Sequence, residues 1–215
     1  WNDVRTALEI REYMSRSIPS PSAEANLAAY YSLDMGGGTS VPDLSTNSNT
    51  GTLQNMTTSD WTLSNAFNNW LGYGVLLPNA ANWTSTSVPT STDNIGFYGA
   101  ATNSPAISAG TVNNLVIGTG VTPTLLGNLT VKGNLVLEAD LGLGGYAITL
   151  DSTSFLVEGQ GNITGTAGRI SIQKYLGAIT SYDIGGLGAE LTSSTALGNT
   201  EIIRYQSSAS GAISS

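Results

Sequence analysis

Cysteine and histidine are both absent from the 215 residues. Their absence excludes thiol nucleophiles, disulfides, zinc sites built on thiolate or imidazole, and the commonest general base. Charge is scarce too. Only 10% of residues are Asp, Glu, Lys or Arg, against about a quarter in an ordinary soluble domain, so long solvated helices are not expected. Lys and Arg together number 7 against 15 acidic residues, for a net charge of −8. With no basic cluster, nucleic-acid binding is not expected, because phosphate contacts need Lys and Arg. No apolar run approaches the ~18 residues of a membrane-crossing helix, so membrane insertion is not expected either. The abrupt ends at Trp1 and Ser215 read as a window of a longer polypeptide.

What fills the chain instead is glycine, 26 residues of it, with abundant Ser, Thr and Asn. That mixture suits short strands joined by tight turns. Residues 3–16, DVRTALEIREYMSR, are the one helix expected, with Val4, Leu8 and Tyr13 or Met14 at helical spacing and a Pro/Ser stop at SIPSPSAE. NLAAYYSLD at 26–34 reads as a strand, followed by a glycine turn and a polar loop. A boundary is placed at residue 67, where the texture turns aromatic.

Beyond residue 106 the chain becomes periodic. NLVIGTG at 114, NLVLEAD at 134 and SFLVEGQ at 154 recur every 20 residues, which places Leu115, Leu135 and Phe155 in one slot and Tyr175 in a fourth. Between them lie alternating apolar-polar-apolar triplets at 129–131, 148–150 and 170–172. Two strand phrases per 20-residue period predict a β-solenoid of about four coils over 68–181, with Asn and Gly at its corners. An evenly spaced β-sandwich is the alternative. Residues 182–215 read as the start of a further β unit.

Several side-chain groups invite a functional reading. Asp43, Ser45, Asn47 and Asn49 alternate along DLSTNSNTG and offer oxygens to a hard cation such as calcium, with Asp34 or Asp60 as outside ligands. The loop lacks the glycine and distal Glu of an EF-hand, and a polar surface turn explains the same residues. Trp70, Tyr73 and Trp83, in an aromatic stretch with Trp61, Phe97 and Tyr98, could grip a sugar or cap the first coil. Polysaccharide lyases and hydrolases need clustered carboxylates and a base. The charges available on the coils are Glu138, Asp140, Asp151, Glu158, Lys132, Arg169 and Lys174, with Glu138 and Glu158 in equivalent places ~5 Å apart on adjacent coils.

Some stretches carry a resemblance. LAAYYSLDMGGGTSVPDLSTNSNTGTL is similar to a recurring phrase of laminin-G-like and concanavalin-A-like jelly rolls, through Asp34, Gly36, Gly38, Thr39, Asp43, Ser45, Asn47, Asn49, Gly51, Thr52 and Leu53. Met35 stands where that phrase has an acid and Thr46 where it has a glycine. WNDVRTALEIREYM resembles the closing helix of such a domain. The stretches 79–108 and 183–204 look like repetitive regions of giant Bacteroidota proteins exported by type IX secretion. The resemblance implies an extracellular, cell-surface setting and an adhesive or architectural role. The fold expected is therefore all-β: a β-solenoid flanked by a partial jelly-roll-like segment (1–67) and a further β unit. The function expected is non-enzymatic, a stiff stalk or the protomer of a homo-oligomeric filament. Binding of surface glycans is the alternative, and a lyase or hydrolase is the remote one.

Overall fold

The computed structural model describes residues 1–6, 9–10, 13, 18, 20–33, 35, 37–61, 66–72, 78–98 and 105–206. They divide into two compact units, 1–65 and 66–215. The protein is all-β, with a β-solenoid of about four turns in the second unit.

In the first unit the only sheet among the described residues is the antiparallel pair β1 (Ser40–Val41) and β2 (Gly51–Thr52). The two-sheet jelly roll implied by the resemblance is thus not met there. The expected strand at 26–34 is corrected as well: its described residues form no ladder. Its backbone groups are taken by other partners. Tyr30 N–H donates to the Asp43 carboxylate (2.9 Å), and Asn47 Nδ2 donates to the carbonyls of Leu27 (3.2 Å) and Ala28 (3.0 Å). A helix exists near the N-terminus, but it starts later than residue 3. Thr6 Oγ1 accepts from Glu9 N–H (3.2 Å) while Glu9 Oε2 accepts from Thr6 N–H (2.7 Å), a reciprocal capping box. Val4 therefore precedes the helix and is 96% exposed. Leu8, Met14 and Ser15 lie outside the described residues.

The second unit has three parallel faces. The first face is β3 (Asn68–Asn69), β4 (Ile95–Phe97), β7 (Leu115–Ile117), β10 (Asn134–Leu137) and β13 (Phe155–Glu158). The second is β5 (Ala106–Ile107), β8 (Thr124–Leu125), β11 (Leu141–Gly142) and β14 (Ile163–Thr164). The third is β6 (Gly110–Val112), β9 (Leu129–Val131), β12 (Ala147–Leu150) and β15 (Arg169–Leu176). Each turn contributes one strand to each face in order, so β4 to β6, β7 to β9, β10 to β12 and β13 to β15 are the four turns. A hairpin of β16 (Ile179–Asp183) and β17 (Glu190–Ser193) follows. The chain then returns as β18 (Gly198–Tyr205), antiparallel to β15 over eight residue pairs. Much of the segment read as a further β unit thus lies on the edge of the third face.

Stacked like residues build the core. Leu115, Leu135 and Leu156 align on the first face, and Leu129, Ile148 and Ile170 on the third. Nearly all are 0–2% exposed and belong to one continuous apolar cluster, where each such side chain contributes roughly 1.5–3 kcal/mol. The expected alignment of Phe155 with Leu135 is off by one residue. Phe155 pairs with Asn134, because the turn before β13 holds one residue more than its counterpart. That slip sends Phe155 to the outer side of the first face, against Val116, Val136 and Val157. Tyr175 is not a fourth rung either. It lies on the third face opposite Asn199 and is 67% exposed.

The repeated Gly-Asn phrase is explained at one corner. Asn114 Nδ2 donates to Asn94 Oδ1 (2.8 Å), and Asn134 N–H donates to Asn114 Oδ1 (2.6 Å), so one amide per turn hands a hydrogen bond to the next. Gly133 leaves room for this: a Cβ there would sit 2.3 Å from Asn114 Oδ1. Asparagine stitches the coils and glycine clears its path.

Both ends of the apolar core are covered. At the first end, Trp70 bridges antiparallel to Trp83, while Leu71 N–H donates to Asn82 O (2.7 Å) and Thr84 N–H to Asn69 O (2.9 Å). At the last end, Ile184 and Leu187 are 0% and 5% exposed within the core cluster, and Leu156 N–H donates to Gly185 O (2.8 Å). Gly186, at φ +73°, makes this approach possible, since a Cβ would lie 2.0 Å from Leu156 O.

Candidate functional site

The loop read as a calcium site is closed by hydrogen-bond donors. Asp43 is 7% exposed. Its Oδ1 accepts from the amides of Tyr30 and Ser45, and its Oδ2 from Ser45 Oγ and Asn49 N–H, all at 2.9 Å. Burial alone would raise this carboxyl. The four donors outweigh it and hold the pKa down at about 2. Ser45 Oγ also accepts from Asn47 N–H (3.2 Å), Asn47 turns its amide nitrogen inward to the carbonyls of Leu27 and Ala28, and Asn49 O accepts from Tyr31 Oη (2.6 Å). A cation needs lone pairs, and the pairs of the one buried carboxylate already face N–H and O–H groups. The donor set does not fit calcium. It fits a carboxylate-centred turn. Asp34 lies outside the described residues, and Asp60 accepts from Thr57 N–H (2.6 Å) at the start of a short 3₁₀ turn. Among the described residues, no group of three or more Asp or Glu side chains is placed to hold a metal.

The aromatic stretch is divided between tasks. Trp70 and Trp83 are 5% and 0% exposed and pack on Phe97, with ring centroids at 5.8 and 5.5 Å. Their faces are spent inside the fold, which removes both from a sugar platform and makes them the lid of the first turn. Tyr73 lies outside the described residues. Tyr98 lies across the strand backbone instead, where a Cβ on Gly118 would meet its ring at 2.2 Å. Trp61 is in the other unit, donating from Nε1 to Gly38 O (2.8 Å).

The carboxylates of the coils do not gather either. Glu158 pairs with Leu137, not Glu138, the same one-residue slip that moves Phe155. Its two oxygens receive Arg204 in a two-pronged contact (2.8 and 2.5 Å), and Oε1 also accepts from Ile163 N–H (3.0 Å). Half-burial pushes this carboxyl up, but Arg204 and the Ile163 amide bring its pKa below the usual value. The pair clamps β18 to the last turn. Asp140 accepts from Asn162 N–H (2.9 Å) and Asp151 from Ser152 N–H (2.6 Å). Lys174 donates to Tyr182 Oη (3.3 Å).

One concavity in the second unit brings functional side chains together. Asn128, Ala147, Arg169 and Tyr205 form a row across the third face, since Ala147 pairs with Arg169 and Arg169 with Tyr205, while Ala147 N–H donates to Asn128 Oδ1 (3.0 Å). Gly145, Tyr146 and Gly168 complete the lining of a hollow of about 390 Å³. Tyr146 and Tyr205 are 39% and 67% exposed. Of this set, sequence reasoning named only Arg169. Asn128, Ala147 and Arg169 enter the same face on successive turns, but spacings of 19 and 22 residues hide them from a strict 20-residue count.

Compared with protein-family models, curated proteins and solved structures, the chain matches none.

Proposed function

We propose that this chain is a stiff, non-enzymatic spacer within a larger extracellular surface protein. The carrying observation is the four-turn solenoid whose apolar core runs unbroken and is covered at both ends. Every turn is hydrogen-bonded to the next on three faces, so the segment resists bending and stretching through many parallel ladders at once. Covered ends favour a stalk over a filament built by end-to-end stacking, because an exposed terminal rung is what recruits another chain. A surface of Ser, Thr, Asn and Gly with little charge suits a passive shaft. The extracellular setting rests on the resemblance of 27–53, 79–108 and 183–204 to exported surface proteins.

The test is made on intact cells of the source organism, with an antibody against the chain. Surface labelling that disappears after protease shaving is expected. Labelling only after lysis would contradict the proposal.

A further inference from the structure

We propose that the hollow on the third face binds an acidic saccharide, a sugar chain carrying carboxylates, and that Arg169 is its anchor. This inference does not depend on the spacer reading.

The row Asn128, Ala147, Arg169, Tyr205 is fixed by backbone pairing, not by loop conformation. Neighbouring strands are ~4.8 Å apart, so its three steps extend over about 14 Å. Polar and aromatic groups therefore repeat along a line, as the groups of an extended sugar chain do. Ala147, between Asn128 and Arg169, is the low point. Gly145 and Gly168 keep the walls back, and Gly168 has no room for a side chain, since a Cβ would lie 2.6 Å from Tyr146 O. The volume of about 390 Å³ falls within the ~300–1,000 Å³ range of ligand pockets.

The chemistry of the lining selects the ligand. Arg169 is exposed, and no described carboxylate lies within ion-pair distance of it. In a chain where 15 acids outnumber 7 bases, a guanidinium left without an acid has its fork free for an outside carboxylate, which it can take through two parallel hydrogen bonds. Tyr146 and Tyr205 flank it with accessible rings and phenol groups, an apolar face and a hydrogen-bonding tip on each side chain. Asn128 contributes an amide one strand beyond Ala147. A cation between two accessible aromatics and an amide fits a sugar ring with an acidic substituent better than a neutral sugar or a bare anion.

The experiment is calorimetric titration of the 215-residue chain with trigalacturonate at low ionic strength, with maltotriose as the neutral counterpart. Trigalacturonate is expected to bind, and maltotriose to bind at least about tenfold more weakly. Arg169→Gln should weaken trigalacturonate about tenfold or more, with circular dichroism unchanged because the side chain is exposed. Ala147→Leu, which fills the floor, should do the same by a different route. Lys132→Gln, an exposed cation outside the hollow, should leave binding as it was. No binding of trigalacturonate, equal binding of maltotriose, full affinity in Arg169→Gln or Ala147→Leu, or an equal loss in Lys132→Gln would each overturn the proposal.

Discussion

The two units solve the same problem by opposite means. In 66–215, like residues stack on like, and a continuous apolar column carries the fold through four turns. In 1–65, the described core is thin, and a single buried carboxylate, Asp43, organises the surrounding chain by accepting four hydrogen bonds. Repetition lets every turn share its hydrophobic surface with two neighbours. Where nothing repeats, polar side chains must replace the missing ladders, and stability then depends on protonation.

This contrast is broken most strongly at the lid of the solenoid. Trp83→Ala empties a fully buried site and should cost the second unit about 3–5 kcal/mol, measured by urea unfolding. Amide exchange at Tyr30 and Ser45 in the first unit should stay unchanged. Within the column, Leu135→Ala should cost about 2–5 kcal/mol, while Thr130→Val, on the outer side of the third face, should stay within about 0.5 kcal/mol. Asn114→Ala severs the corner stitch on both sides and leaves Asn94 Oδ1 and Asn134 N–H with fewer partners, a loss of about 1–3 kcal/mol. The smallest global effect is set by pH. The Asp43 pKa is depressed from an ordinary value near 3.9 to about 2, so its contribution is present above pH ~4. That contribution is lost as pH falls toward 2. Amide protection at Tyr30, Ser45 and Asn49 should drop over that window, and Asp43→Asn should remove the dependence at neutral pH.

Legibility in the sequence followed the same divide. Leu115 and Leu135, and the triplets at 129–131, 148–150 and 170–172, stack as their spacing indicates, because a parallel coil imposes a near-constant period on its core. The second face was invisible, since its two-residue strands carry too little alternation to register as strands. Phe155 and Glu158 were misassigned by one position because a single extra residue in a turn flips a strand's faces. Asp43 was noticed for its oxygens, yet the same oxygens serve a cation or a cluster of N–H donors, and only the backbone's path separates the two. Arg169 and Tyr205 sit 36 residues apart and meet only because β18 reverses onto β15.

The central claim is that the solenoid is sealed at both ends and therefore does not extend by stacking. Light scattering across a wide range of protein concentration tests it most directly. The account predicts one mass of 22.2 kDa at every concentration. Open-ended growth of the mass with concentration would contradict it.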